Sequence, residues 1–320
     1  MLVNTEAFVL KSRKYNEADS LLVLFSRKLG KISAVAKGSR RAKSQMLAGI
    51  QPFCYSDFQL YKGRSLYTVN QVDSRKIFYP LREDYRKLTY AAYLVELVEI
   101  EITEGQTHPR LFSLFGKSLT LLSREDVEME TLIRSFELHF MGACGYKPQL
   151  QGCTACQETK SGKWWFSLEQ GGILCRACRG QGQTVRPISH TCLKLMRYLT
   201  AKSIDETAHI KIHPRLNDEL QQLTKDYLLY HMERFQFRSL KLLSHIDVTP
   251  MLPHSAGEKT DTSEKADEAS GVIARDRKEL EILPIKEYER NIDQKSGLTE
   301  TVESDTFNET EYSENSDEKE

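Results

Sequence analysis

No apolar run in this 320-residue chain approaches the 18 or so residues that a membrane-crossing helix needs. The first ten residues carry Glu6, with no basic start and no long apolar stretch, so a secretory leader is not expected. The short motifs of common catalysis are missing too. There is no G-x-S-x-G nucleophile elbow, no G-x-x-x-x-G-K-[ST] phosphate loop, and no G-x-G-x-x-G after a strand. His231-x-Glu233 resembles half of a zinc deaminase signature, but it follows the cysteine-rich region and has no Pro-Cys-x-x-Cys partner, so it reads as a helix surface. Glu99 and Glu101 are two residues apart on a helix and do not face one another.

Net charge is absent as well, with 45 basic and 45 acidic residues, but the balance is not uniform along the chain. Residues 254–320 hold 20 acidic and 9 basic residues, which leaves 25 acidic and 36 basic in residues 1–253. A body of +11 is therefore followed by a segment of −11. A basic body invites a polyanion, and an acidic tail can screen it.

Cysteine is where the chain is specific. Cys153 and Cys156 form one Cys-x2-Cys pair, Cys175 and Cys178 a second, with 18 residues between them. Two such knuckles bring four thiolates onto one tetrahedral zinc, and four protein ligands leave no open position for water or substrate. The expected cofactor is one structural Zn2+. Gly152, Gly171, Gly172 and Gly180 flank the pairs and suit knuckle turns that need positive φ. Trp164, Trp165, Phe166 and Leu168 supply an apolar patch to dock the ribbon, with base stacking as the alternative use. Cys54, Cys144 and Cys192 sit among apolar neighbours and read as small buried hydrophobes. With no leader and a metal-type cysteine pattern, a reducing, cytoplasmic setting is expected.

Residues 2–78 read as five short strands, Ala7–Leu10, Leu21–Phe25, Ile32–Ala36, Phe53–Tyr61 and Leu66–Val72, punctuated by glycine and proline. Five strands in so short a span suit a small barrel, the oligonucleotide-binding barrel being one candidate among several. From Pro80 the apolar period changes to three and four, predicting a helix through Leu81, Leu88, Val95 and Ile102. Further helices are predicted at Pro109–Leu122, Asp126–Cys144, with Gly145 as its C-cap, Ile188–Ser203 and Leu216–Phe237. The fold class is thus α+β. A five-stranded barrel occupies residues 1–79, and a helical domain, interrupted by a four-cysteine ribbon at 151–180, occupies 80–250. Residues 251–320 form an acidic tail whose composition buries too little to offset chain entropy, so disorder is expected there. One apolar island, Leu280–Ile285, interrupts the tail and is a candidate docking motif.

Between two predicted strands, Lys37, Arg40, Arg41 and Lys43 place four positive charges in eight residues, with Lys28 and Lys31 at a turn just upstream. Such loops present cations to a phosphate backbone, and phosphate contacts do not read base sequence. Tyr15, Tyr55, Tyr61 and Tyr67 are candidate stacking faces for bases, although aromatics in a small barrel are also core formers.

Several of these stretches together carry a resemblance: AFVLK at Ala7–Lys11, YNEAD at Tyr15–Asp19 and GKISAVAKGSRRAKS at Gly30–Ser44. QPF at Gln51–Phe53, LYKG at Leu60–Gly63, LRED at Leu81–Asp84, YAAYLVE at Tyr90–Glu96 and Gly145-Tyr146 continue it. In that order the chain, over about residues 1–243, resembles the RecO family of bacterial recombination mediators. The resemblance implies an oligonucleotide-binding barrel followed by a helical domain with a zinc ribbon. It also implies a protein, not an enzyme, that binds single- and double-stranded DNA and anneals complementary strands. With RecR it would assist loading of RecA onto strands coated with single-stranded-DNA-binding protein. It matches Lys37, Arg40, Arg41 and Lys43 to the family's basic barrel loop and Cys153, Cys156, Cys175 and Cys178 to its zinc cysteines, and implies a cytoplasmic, nucleoid-associated location. It includes no membrane and no small-molecule substrate, and it does not account for the acidic tail. Two other readings stand beside it: a zinc-ribbon protein of RNA binding or transcription, and a zinc-dependent nucleic-acid enzyme.

Overall fold

The computed structural model describes residues 1–182, 184–232, 237 and 239. Five strands, β1 (Leu2–Lys14), β2 (Ser20–Ser26), β3 (Gly30–Ala36), β4 (Tyr55–Lys62) and β5 (Tyr67–Lys76), close into a barrel in the order β1-β2-β3-β5-β4. Neighbouring strands are antiparallel except β3 and β5, which run parallel with Ala34 beside Tyr67 and Val35 beside Thr68. β1 is far longer than the predicted Ala7–Leu10 because it serves two partners. Leu2–Phe8 pair with β4 and Ala7–Lys14 with β2, with a register shift between Val9 and Lys11. Its last four residues, Lys11 to Lys14, have no apolar pattern; pairing alone makes them strand.

Alternation sends Ala7, Val9, Leu22, Leu24, Ile32, Ala34, Phe58 and Leu60 inward to fill the barrel. The opposite face is not all solvent. Phe8 and Phe25 point outward and are nonetheless buried, because they meet Phe112 and Phe115 of helix α3 (Pro109–Leu122) at ring-centroid distances of 4.9 and 5.2 Å for Phe8 and 5.1 Å for the Phe25–Phe112 pair. This aromatic cluster fastens the barrel to the helices. Phe8→Ala is expected to cost about 3–5 kcal/mol in urea unfolding, the range for deleting a packed ring; a loss under about 1 kcal/mol would mean that the seam is not a packed core.

The predicted helix from Pro80 is two helices, α1 (Pro80–Glu83) and α2 (Tyr85–Glu101). Asp84 breaks it by turning extended, with its carboxylate accepting hydrogen bonds from the Arg86 and Lys87 amides as an N-cap. After α3 come α4 (Met129–Ala143), α5 (His190–Ala201), α6 (Ile204–Thr207) and α7 (Pro214–His231). α4 is central, packing against α3, α5, α6 and α7. It ends in a Schellman motif, with the Gly145 amide on the Gly142 carbonyl, the Tyr146 amide on that of Met141, and Gly145 at φ 93°. Its buried centre is polar. Glu137 accepts from Tyr93 of α2 at 2.8 Å and from Thr224 of α7 at 2.7 Å, and pairs with Arg134 at 2.9 Å. The carboxylate's partners come from three different helices, so the network ties their arrangement together, although the Nε of Arg134 is buried without a partner.

Between α4 and α5 stands a three-stranded sheet, β6 (Trp164–Ser167), β7 (Gly172–Leu174) and β8 (Val185–Ile188), in the order β7-β6-β8. The expected tail at 251–320, its apolar island and the end of the predicted last helix lie outside the described residues, apart from Phe237 and Ser239.

Candidate nucleic-acid interface and metal centre

The loop after β3 is pinned by its backbone while its cations are left free. Gly38 sits at φ +66°, a left-handed position that other residues adopt only with strain. Its amide donates to Asp19 at 2.8 Å in the β1–β2 turn, the Arg40 amide donates to the Ala18 carbonyl at 3.0 Å, and buried Ser39 donates to Ser20 at 2.9 Å. The Gly38 amide, the Asn16 side chain and the nearby Lys37 and Arg41 charges hold the Asp19 carboxyl below its usual range. Lys37, Arg40, Arg41 and Lys43 are all exposed, and among the described residues none of them makes an ion pair.

Two further cations join them. Lys14 pairs with Ser20 across β1–β2, and Ser20 pairs with Ala36 across β2–β3, so Lys14 and Arg13 reach the same end of the barrel as Lys37. Both are exposed, and Tyr15 beside them is 50% exposed. Sequence reasoning missed Arg13 and Lys14 because it ended β1 at Leu10; the dense basic character of Lys11–Lys14 was the available signal.

Lys28 and Lys31 lie at the other end of β3, roughly 20 Å away at ~3.3 Å per residue. Lys28 is exposed and donates to the Asn4 carbonyl at 3.0 Å, at the rim of an open polar groove of about 530 Å³ shared with Arg27 and Arg75. Lys31 is half-buried and donates to the Glu99 carbonyl at 2.8 Å near the end of α2, while Lys11 pairs with the Glu99 carboxylate. The six cations expected from the sequence are thus one patch of four, Lys37, Arg40, Arg41 and Lys43, and two outliers, Lys28 and Lys31. Of the tyrosines, Tyr61 is 53% exposed, whereas Tyr55 stacks on Phe8 at 4.7 Å and donates to Glu6, and Tyr67 packs against the barrel core.

The four cysteines come together: the sulfurs of Cys153, Cys156, Cys175 and Cys178 all lie within 4.8 Å of one another, and those of Cys156 and Cys175 are 3.7 Å apart. A tetrahedral zinc with Zn–S bonds of ~2.3 Å sets its sulfurs about 3.8 Å apart, so the donor set fits that ion. The Cys175 amide points at the Cys153 sulfur at 3.4 Å. Burial opposes ionisation of Cys153, but the amides of Cys175, Cys156 and Ala155 outweigh it and bring the thiol down to about 6. Cys178 is pushed up to about 12, first by its contact with Cys156 and then by burial.

The glycines around the knuckles work differently from expectation. Only Gly171 of the four has positive φ, and the left-handed residue of the first knuckle is Gln157 at φ 63°. Gly172 is required for space instead, since a Cβ there would lie 2.6 Å from the Gln149 carbonyl oxygen and 2.5 Å from the Thr154 methyl. Trp164, Phe166 and Leu168 are buried, Phe166 against Tyr227 of α7 at 5.1 Å, so they dock the ribbon and present no face to a base. Trp165 is half-covered under Arg179. His231 is half-buried, not a free helix surface. It bonds to the Leu168 carbonyl at 2.9 Å and is packed by Tyr146 and Tyr227. Cys54 and Cys192 are buried as expected, but Cys144, at the end of α4, is only half-buried.

On the helical part, Arg86, Lys87, Lys117 and Arg124 are paired with Glu130, Glu125, Asp205 and Asp126. Arg110 makes no such pair among the described residues. With Lys147 and His139 it rims a cleft of about 270 Å³ floored by Leu114 and Leu138. No helix among the described residues is long and apolar enough to cross a membrane.

Comparison with known proteins adds the following. The family described as recombination protein O, N-terminal, matches residues 1–78, and its C-terminal counterpart matches residues 82–241. A DNA repair protein RecO of Alkaliphilus metalliredigens is 50% identical over 246 residues, 77% of this chain and 100% of that protein. Those of Acetivibrio thermocellus and Desulfitobacterium hafniense are each 34% identical, over 245 and 268 residues, covering 77% and 82% of this chain and 97% and 96% of theirs.

Proposed function

The chain belongs to the recombination protein O family, and from that premise we propose that it is a DNA-binding mediator of recombinational repair, not an enzyme. It binds single- and double-stranded DNA at the Lys37–Lys43 end of the barrel and anneals complementary strands. With RecR it assists RecA onto strands coated with single-stranded-DNA-binding protein. The strand order β1-β2-β3-β5-β4, closed on itself, supports reading residues 1–79 as an oligonucleotide-binding barrel. Residues 80–250 are then the helical domain, with one structural zinc held by the four cysteines of the 151–180 ribbon. A zinc with four thiolate ligands contributes folding energy and leaves no open position for substrate.

One observation carries the reading: four exposed cations, none of them in an ion pair among the described residues, on a backbone-pinned loop. Unpaired cations release their counterion atmosphere and that of the phosphates on contact, without first breaking an internal ion pair. Between Lys37 and Lys43 no asparagine, glutamine or acidic side chain is available to read adenine or cytosine edges, and the arginines serve phosphates as well as guanine. A strand held this way by its phosphates keeps its bases open to pair with a second strand. The Arg110–Lys147 cleft, basic at the rim and apolar at the floor, fits an acidic, apolar-ended peptide, and we assign it to the tail of the single-strand-binding protein.

The test is annealing of complementary DNA strands precoated with single-strand-binding protein, with an RNA pair in parallel. The chain is expected to speed pairing of the coated DNA by about tenfold or more, a modest fraction of what holding two strands together can give. No acceleration on DNA, or acceleration confined to RNA, would favour the RNA-binding alternative.

A further inference from the structure

Near the basic loop of the barrel stands an exposed aromatic that phosphate contacts do not use. Tyr61, at the end of β4, is 53% exposed, and its cross-strand partner on β1, Leu2, is 54% exposed. Tyr55 spends its ring on Phe8 and its hydroxyl on Glu6, whereas among the described residues Tyr61 has neither a ring partner nor a hydrogen bond from its hydroxyl. Tyr79 and Tyr85 are as exposed, but Glu83 and Asp84 stand between them. Tyr15, on the other side of the loop, is followed by exposed Glu17. The stretch Tyr61–Tyr67 holds no acidic residue. It carries Lys62 and Arg64, both exposed and neither in an ion pair among the described residues.

Strand register places this ring. Leu60 and Val69 point into the barrel, so Tyr61 and Thr68, paired across β4–β5, point outward, and Thr68 is in turn paired with Val35 of β3. Tyr61 is thus two strands from Val35, about 10 Å at ~4.8 Å per strand, and Lys37 is two residues beyond Val35, about 7 Å at ~3.3 Å per residue. Ring and loop share one face roughly 12 Å apart, a gap that the ~4–16 nucleotides held by an oligonucleotide-binding barrel cover easily. The hairpin bearing Lys62 and Arg64 is pinned as the loop is. The Gly63 amide donates to the Leu66 carbonyl at 3.1 Å, and a Cβ on Gly63 would lie 2.4 Å from that oxygen. Acids of the same sheet stand apart. Glu6, Asp57 and Asp73 form one row across β1, β4 and β5, four residues along from Leu2 and Tyr61, and Glu6 and Asp57 are paired with Arg27 and Arg75.

An exposed aromatic step between cations that lack ion pairs matches a ligand with flat apolar faces strung on phosphates, which is single-stranded nucleic acid. We propose that Tyr61 stacks on a base of the strand whose phosphates lie on the Lys37–Lys43 loop, that Lys62 and Arg64 hold the phosphates next to that base, and that this contact makes the barrel prefer single strands to duplex. A duplex keeps its base faces inside its own stack, so it meets only the cations. Stacking takes a face that every base has and leaves the pairing edges open, so it costs neither tolerance of sequence nor readiness to anneal. The assignment rests on the DNA-binding reading of the loop and adds to it the residue that sets strand preference.

The test compares the parent, Tyr61→Thr and Tyr61→Phe as full chains, by fluorescence anisotropy, on a single strand, on the same strand made abasic, and on duplex of the same sequence. The parent should bind the base-bearing strand about tenfold tighter than the abasic one, the worth of one base–aromatic stack; Tyr61→Phe should keep that ratio and Tyr61→Thr should lose it. Abasic and duplex affinities should be equal for all three chains, and so should the slopes against salt, because no charge changes. Lys62→Gln together with Arg64→Gln should instead flatten the single-strand slope by about one, and an unchanged slope overturns the part given to the hairpin. A parent that binds both single strands equally, or a Tyr61→Thr chain that keeps the ratio, overturns the stack and leaves phosphate binding by the loop standing. Loss of abasic and duplex binding in Tyr61→Thr overturns it too, as damage to the barrel. Failure of the parent to bind any of the three DNAs overturns the proposed function itself.

Discussion

Replacing Lys37, Arg40, Arg41 and Lys43 together by Ala should weaken binding of single-stranded DNA by about a hundredfold or more at low salt, and by the same factor for every base sequence. The loop's backbone geometry predicts that this variant folds as the parent does. None of the four side chains is buried, and among the described residues none makes an ion pair. The hydrogen bonds that set the loop come from the Gly38 amide, the Arg40 amide and Ser39, all of which survive the substitutions. Equal unfolding midpoints for the variant and parent in urea check that point. Replacing Lys28 and Lys31 instead should have a much smaller effect on DNA. Lys31 is spent on the Glu99 carbonyl, and its loss should appear as a stability change at the barrel–helix seam. Fluorescence anisotropy on three unrelated oligonucleotide sequences measures both; a loss confined to one sequence would contradict phosphate binding.

The opposite pattern is expected at the cysteines. Cys153→Ser together with Cys178→Ser should lower bound zinc from one per chain to none. Apparent free energies for structural zinc run to about 10–16 kcal/mol in small zinc peptides, so the ribbon should lose its order outright. Its attachments to α7 would go with it: Phe166 on Tyr227, Arg186 on Asp226 at 2.9 Å, and His231 on the Leu168 carbonyl. Amide exchange should accelerate over residues 150–188 and in α7, while β1–β5 keep their protection and the salt dependence of DNA binding is unchanged. Full zinc retention by the double variant, or a DNA defect as large as that of the loop variant, would contradict a structural role for the quartet.

How legible these features were in sequence follows from what sets each. Helix α3 was predicted at its observed bounds, Pro109–Leu122, because proline opens it and its apolar period is strong. The cysteine quartet was legible from spacing alone, since the two-residue gaps dictate the local turn. β1 was read at a third of its length because its polar half is strand only by pairing with β2, which no local pattern announces. The break at Asp84 was hidden inside an unbroken apolar period, where a single carboxylate accepting two amides decides against helix. Likewise, Lys28 and Lys31 stand close to the loop in sequence but a full strand away in space, while Arg13 and Lys14 are distant in sequence and adjacent across β2. Strand pairing is non-local, and the composition of the cationic face follows from it.

On the proposed function the loop engages DNA through phosphates, and the zinc ribbon is a brace for the helical part. The most direct test is the slope of log binding constant against log salt concentration for a single-stranded oligonucleotide, with the parent, the four-fold loop variant and the double cysteine variant side by side. Each phosphate contact contributes about −0.7 on single strands, so the loop variant should flatten the slope by about two to three, and the cysteine variant should leave it where the parent has it. An unchanged slope in the loop variant, or a flattened one in the cysteine variant, would contradict the account.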